Sequence, residues 1–159
     1  MNKIVYNGLV FADEDGIGEG KLTDISFQAE TSLAQDELSV DTLNFAVKYP
    51  GDESKPDDSI AKLPYGTICS YYRDDVLFCK YYLVSVTRDD KFKYEFEFQS
   101  SIGLLDDTNH YGGLYSGAYA SDIIADVIGN KIPYTIKPVF SKIKLYGWLP
   151  VATRRANLQ

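Results

Sequence analysis

Residues 66–99, GTICSYYRDDVLFCKYYLVSVTRDDKFKYEFEFQ, decide the fold. Gly66 to Tyr72 runs into the polar triplet Arg73-Asp74-Asp75, and Val76 to Val86 runs out again. Thr87 to Lys91 is a second polar turn. After it Phe92, Tyr94, Phe96 and Phe98 alternate with Lys93, Glu95, Glu97 and Gln99. A period of two between short turns predicts a three-stranded antiparallel meander, with the Phe/Tyr face buried and the Lys/Glu face solvated. The aromatic stripe reads as core rather than as a stacking platform for bases or sugars. With Arg73-Asp74-Asp75 as a three-residue loop, Tyr72 opposes Val76 and Cys69 falls opposite Cys79, close enough for a bridge. The segment 1–16, MNKIVYNGLVFADEDG, turns acidic before an export-type apolar run develops. The expected compartment is therefore reducing, with the two thiols free and buried as small hydrophobes.

The same pattern extends toward the N-terminus. Lys3 to Tyr6 and Leu9 to Phe11 flank Asn7-Gly8, a hairpin signature. Residues 12–20, ADEDGIGEG, form a loop by composition. Asp13, Asp15 and Gly16 give it a calcium-loop look, but position twelve from Asp13 is Asp24 and strands flank the segment, so calcium is not expected. Ile25, Phe27 and Ala29 alternate with Asp24, Ser26 and Gln28 in a half-buried strand. Leu38 and Val40, then Leu43, Phe45 and Val47, give another alternation broken near Asp41-Thr42. Residues 50–59, PGDESKPDDS, read as a surface loop.

The composition changes after Asp106. Residues 109–117, NHYGGLYSG, are Gly/Tyr-rich and extended or looped. Ser121 reads as the N-cap of an amphipathic helix of about residues 120–129, with Ile123, Ile124, Val127 and Ile128 on one face and Gly129 as its stop. Tyr134–Ile136 and Ile143–Tyr146 read as short strands that Trp148-Leu149-Pro150 ends. Thr153 reads as the cap of a further helix, so the chain is expected to be a piece of a longer protein. The predicted fold is α+β, mostly β: an antiparallel tube-type barrel or sandwich over 1–106. Residues 107–159 are expected to add the helix and short strands, either as the start of a second domain or packed on the first.

Charge and residue inventory restrict function. The 159 residues carry net charge −7, with 13 Tyr and 8 Phe against a single His and two Cys. Three Cys/His residues in all leave too little for a zinc site. His110 has no supporting nucleophile motif, and Asp74-Asp75 and Asp89-Asp90 fall in turns, where Asp is favoured for geometry. The glycine-rich stretches lack the lysine and strand–helix context of a phosphate loop. The expectation is a chain that is not an enzyme, with no catalytic, cofactor-binding or metal-binding residues and no membrane span. Residues 1–60 hold 13 acids and 4 bases, whereas residues 131–159 hold no acid and the six bases Lys131, Lys137, Lys142, Lys144, Arg154 and Arg155. The acidic bulk argues against specific nucleic-acid binding. Self-association, the basic end of one copy facing the acidic flank of the next, is the favoured account of the asymmetry. Candidate interface residues are Tyr111, Tyr115, Tyr119, Trp148, Arg154 and Arg155.

A family resemblance enters with the second half of the chain. Ser101-Ile102-Gly103-Leu104-Leu105-Asp106, then His110-Tyr111-Gly112-Gly113-Leu114-Tyr115-Ser116-Gly117, resembles the N-terminal region of phage tail baseplate hub proteins, the tail-associated lysin or prophage endopeptidase tail group. Lys144-Leu145-Tyr146-Gly147-Trp148-Leu149-Pro150, Ala152-Thr153-Arg154-Arg155 and Asn157-Leu158-Gln159 are similar to the same group, as is the meander from Tyr65 to Phe98. The resemblance implies a structural part of a phage or prophage tail tip, present in the virion and assembled in the host cytoplasm. It implies a homotrimeric ring whose partners are the distal tail protein, the tape measure and the fibre, with any hydrolase in a C-terminal region beyond this chain. The acidic bulk would then suit a channel wall that repels DNA. The alternative from a different class is a stand-alone module for cell-wall carbohydrate, stacking sugars on Tyr111, Tyr115 and Tyr119.

Overall fold

The computed structural model describes residues 1–29, 38–48, 62–88 and 93–159, which fall into two compact units: residues 1–29 and 40–100 in the first, residues 38–39 and 101–159 in the second. The expected surface loop 50–59, the turn residues 89–91 and Phe92 lie outside the described residues.

The first unit is a closed barrel of seven strands. They are β1 (Asn2–Tyr6), β2 (Leu9–Ala12), β3 (Gly20–Gln28), β4 (Thr42–Lys48), β5 (Ile68–Arg73), β6 (Val76–Arg88) and β7 (Lys93–Gln99). Their order is β1-β2-β3-β4-β7-β6-β5, and β5 pairs back onto β1. The mostly-β, barrel-plus-helix expectation is therefore met, with the meander as β5-β6-β7. One step departs from the antiparallel expectation: β2 and β3 pair in parallel through Phe11↔Gly20 and Ala12↔Lys21. Parallel neighbours ordinarily need a crossover of about a dozen residues or more. Here the acidic loop turns back within a few residues because Gly18, at φ +76°, lies against Val10, whose carbonyl oxygen would be 2.1 Å from any Cβ. The loop acids hold this return. Asp13 accepts from the Asn2 backbone N–H (2.9 Å) and side-chain amide (2.8 Å), Glu19 accepts from the Val10 N–H, and Asp15 pairs with Lys21 at 2.6 Å.

Inward residues alternate as the periodicity predicts, and they fill the barrel with rings. Phe45 stacks on Phe96 (4.9 Å) and on Phe98 (5.4 Å), while Tyr6 meets both edge-on at 5.3 and 5.5 Å. Such offset and T-shaped pairs add about 0.5–1.5 kcal/mol each beyond area burial. Tyr6, Phe98 and Leu43 are fully buried, so the stripe is core. Leu38 and Val40 precede β4 rather than belonging to it, and Ala29 comes just after β3.

The cysteine register differs from expectation. The turn is the two-residue Asp74-Asp75, both with positive φ (50° and 61°), and Arg73 pairs with Val76. Phe78 is an extra residue on β6, so Tyr71 opposes Cys79 and Cys69 opposes Tyr81. A shorter turn and one bulge thus separate the cysteines, and both are free. Burial pushes the Cys69 thiol up to about 12, consistent with an inert core position.

The main stretch of the second unit runs from Ser101 to Gln159. The 3-10 turn Ser101–Leu105 carries Leu105, which is fully buried with Ile128 and Ile132 in a core separate from the barrel's. The unit then runs β8 (Asn109–His110), β9 (Gly113–Tyr119), α1 (Ala120–Ile128), a 3-10 turn at Pro138–Lys142, β10 (Lys144–Leu149), β11 (Ala152–Thr153) and a 3-10 turn at Ala156–Leu158. β10 pairs with β9, and β11 with β8, both antiparallel. Helix α1 matches its predicted span, and Gly129 closes it with an N–H to the Ala125 carbonyl at 2.8 Å. Its N-cap is Tyr119 rather than Ser121, whose hydroxyl sits 3.4 Å from Asp122 inside the first turn. Tyr134–Ile136 is not a strand. Pro133 and Pro138 bracket it, and each removes a ladder donor. The closing turn Ala156–Leu158 is 3-10 and its N-cap is Arg155 rather than Thr153, whose hydroxyl nevertheless accepts the Ala156 N–H at 3.3 Å. Among the described residues no helix is long and apolar enough to cross a membrane.

Candidate functional site

The second unit holds both the histidine and most of the expected interface residues, arranged as an internal polar knot and an exposed ribbon. His110 is buried at 6% exposure, on β8. Its Nδ1 accepts the Gly112 N–H at 3.1 Å, which leaves the imidazole proton on Nε2, 3.2 Å from Asp126 Oδ2. The same carboxylate oxygen accepts the Tyr115 hydroxyl at 2.7 Å. Asn157 completes the surround, its amide 3.5 Å from Nδ1 and donating to the Pro150 carbonyl at 3.1 Å. Both ring nitrogens are thus engaged within the unit. The Tyr115 hydroxyl holds Asp126 below the usual carboxylate range, with help from His110 and Arg154 against some desolvation. Burial, then the bond to Asp126, pushes Tyr115 up to about 12.

The two arginines belong to this knot. Arg154 donates through Nε to Thr108 Oγ1 (3.2 Å) and through Nη1 to the carbonyls of Val127 and Asp126 at the end of α1. Those carbonyls have no partner within the helix, and a cation there also opposes the helix dipole. Arg155 pairs with Asp106 at 3.0 Å. Arg154 and Arg155 therefore hold the C-terminal stretch onto its own unit. Tyr115 likewise faces inward, its hydroxyl on α1.

The remaining candidates stand outside. Across the β9–β10 ribbon Leu114 opposes Trp148 and Ser116 opposes Tyr146, whereas Tyr115 opposes Gly147. Cross-strand partners share a face, so Leu114, Ser116, Tyr146 and Trp148 lie on the side away from the α1-facing Tyr115. Lys144, opposite Tyr119, extends this face with its ammonium 5.4 Å from the Tyr119 ring centre. Gly117, unpaired in the ribbon at φ +76°, would bring a Cβ to 3.1 Å from the Tyr146 hydroxyl. It thus permits both the bulge and the ring above it. Leu114 is 81%, Tyr146 74% and Trp148 68% exposed, and Tyr111, between β8 and β9, is 88% exposed. A run of large apolar side chains left in water on one ribbon face marks an interaction surface.

Leu114, Lys144 and Tyr146 are members of this face that the sequence reading did not single out. Their signal is the alternation Lys144-Tyr146-Trp148 around Gly147. It spares the inner side a bulky residue and puts the aromatics on the outer one. Among the described residues no group of three or more His, Cys, Asp or Glu is placed to hold a metal ion. No protein-family model matches the chain, and no curated protein matches it.

Proposed function

We propose that this chain is a structural component of a phage or prophage tail tip. In this reading it is the N-terminal part of a baseplate hub that self-associates into a ring joining the tail tube to the tip. The observation that carries the reading is the bare ribbon face of Leu114, Tyr146 and Trp148. A surface of this kind requires a macromolecular partner, and a ring protein supplies one in its neighbours. Two further features support it. The barrel interior is filled by stacked rings rather than shaped around a ligand, and the one histidine is committed to packing. The resemblance of residues 101–106, 110–117 and 144–159 to hub proteins supports a tail-tip hub as the assembly.

Light scattering across concentrations tests the reading. Three copies of a 17.8 kDa chain give a species of about 53 kDa. A species of that mass, seen as rings by electron microscopy, is the expected result. A monomer at every concentration overturns self-assembly through this chain and favours the second reading. That reading, a cell-wall carbohydrate module, draws support from the exposed Tyr111, Tyr146 and Trp148, though Tyr115 is tied to Asp126 and Tyr119 carries Lys144. Cosedimentation with cell-wall polysaccharide is its test.

A further inference from the structure

Resting on that assembly role, we propose that neighbouring copies join through their β9–β10 ribbons, β10 of one copy pairing edge to edge with β9 of the next. Three ribbons then close into a six-stranded antiparallel barrel around the ring axis, with their apolar outer faces inward. The ribbon is bare on three sides. It is a separate two-stranded sheet, and among the described residues no backbone hydrogen bond ties the outer edge of either strand to another segment. Open edges accept further strands, and a two-stranded ribbon is marginal without cover. Helix α1 covers only the Tyr115 side. Strand β10 is apolar on both sides, with Tyr146 and Trp148 outward and Leu145 and Leu149 on the other face, Leu145 still 44% exposed. A strand apolar on both faces is suited to being enclosed on both.

Only closure covers every bare side. Two ribbons joined β10 to β10 leave both β9 edges and the whole aromatic face in water. Two ribbons stacked face to face cover the rings and leave four open edges. Joined β10 to β9, each copy makes a heterologous contact, the type that repeats until it closes. Because β9 and β10 are antiparallel, rotation about an axis along the strands makes every new neighbour antiparallel as well. Two copies give four strands, too few to enclose an interior, whereas the three of the assembly give six.

The enclosed residues fit such an interior. Register stacks them in layers: Leu114 with Trp148, Ser116 with Tyr146, and Tyr119 with Lys144. The first two layers each set a large ring beside a smaller residue, the alternation by which small barrels are filled. The third layer lies at the barrel mouth, where Lys144 reaches water over the Tyr119 ring. The exposed parts of Tyr119, Tyr146 and Trp148 alone come to roughly 400 Å² per copy. The two strand edges raise this toward the about 800 Å² per partner of a stable interface.

The experiment is sedimentation equilibrium of the full 159-residue chain, with circular dichroism checking the fold of each variant. Trp148, the only tryptophan, reports the contact directly. As the species of about 53 kDa forms, its emission is expected to shift to the blue and to lose quenching by acrylamide. Hydrogen exchange is expected to slow in both 113–119 and 144–149. Tyr146→Ser with Trp148→Ser, and separately Ser116→Arg, which overfills a layer at a position exposed in the single copy, are each expected to weaken association about tenfold or more. Glu97→Lys, on the outside of the first unit, is expected to change nothing. Raised salt is expected to strengthen association by screening Lys144 from its symmetry mates. Weakening by salt would mean that ion pairs hold the copies, and would overturn the proposal. Assembly that leaves Trp148 open to quenching and ignores the ribbon variants overturns the ribbon contact, and the ring then stands on another surface. Assembly that buries Trp148 without protecting 113–119 and 144–149 overturns edge pairing in favour of stacked faces. A wild-type chain that never associates removes the proposal and the assembly reading together.

Discussion

The oxygen Asp126 Oδ2 takes hydrogen bonds from both Tyr115 and His110, and their strength depends on its charge. Because the folded pKa of Asp126 is depressed, its contribution is complete above the ordinary carboxylate pKa and is lost as pH falls through the folded value. Tyr115 runs the other way. Its pKa is raised in the folded chain, so its contribution is complete below about 10 and disappears as pH rises toward about 12. The bond is therefore strongest on a plateau between these limits. Tyr115→Phe is expected to destabilise the second unit by about 1 kcal/mol at neutral pH, modest because the Asp126 side chain is 60% exposed and screened by water. Thermal melts in acid should show wild type and variant converging below the carboxylate range. A gap of constant size through that range would mean that the hydroxyl acts through packing and not through the carboxylate.

At the scale of elements, the two barrel hairpins make the same turn with different residues. Asn7-Gly8 has φ 49° and 81°, a left-handed pair suited to the strand twist, and Asp74-Asp75 has φ 50° and 61°. Asp tolerates this region better than Ala does, and Gly enters it freely. Asp75→Gly and Asp75→Ala both delete the 2.6 Å pair with Lys3, so their difference isolates the backbone cost. Ala is expected to be less stable than Gly by about 1 kcal/mol in denaturant melts. Equal stabilities would show that the turn relaxes to another type. This turn also marks where sequence reading stops. The strands of the meander were legible because period-two alternation and turn residues are local signals. Whether Arg73 belongs to the turn is not local, and one residue decides it. The bulge at Phe78 answers the strong coiling of a closed barrel and leaves no compositional mark. Together they moved Cys69 from Cys79 to Tyr81. Ser121 misled for a related reason: it has capping chemistry, but β9 continues directly into α1, so the chain is already helical where a cap was expected. The ribbon face was only half legible. Trp148 stood out by rarity, whereas Tyr146 looks like every other strand tyrosine until the cover it lacks is seen.

At the scale of the whole molecule, the charge asymmetry and the two cores divide the chain at nearly the same place. Residues 1–100 carry 19 acids and 10 bases, whereas 101–159 carry 4 acids and 6 bases. The barrel's core runs from Ile4 to Phe98, and the second unit's, Leu105 with Ile128 and Ile132, shares no residue with it. A closed barrel has no unpaired edge for another segment to complete, so its stability should not depend on residues 101–159. The second unit, with a small core and a bare ribbon, is the weaker of the two by the area it buries. A chain ending at Ser100 is therefore expected to fold as a monomer and to melt within a few degrees of the barrel transition in the full chain. That full chain should show an earlier transition tracked by Trp148 fluorescence, since the only tryptophan lies in the second unit. Calorimetry and fluorescence on both chains check this. A single transition in the full chain, together with an unfolded shorter one, would mean that the barrel draws its stability from the second unit, and the two cores would have to be treated as one cooperative body.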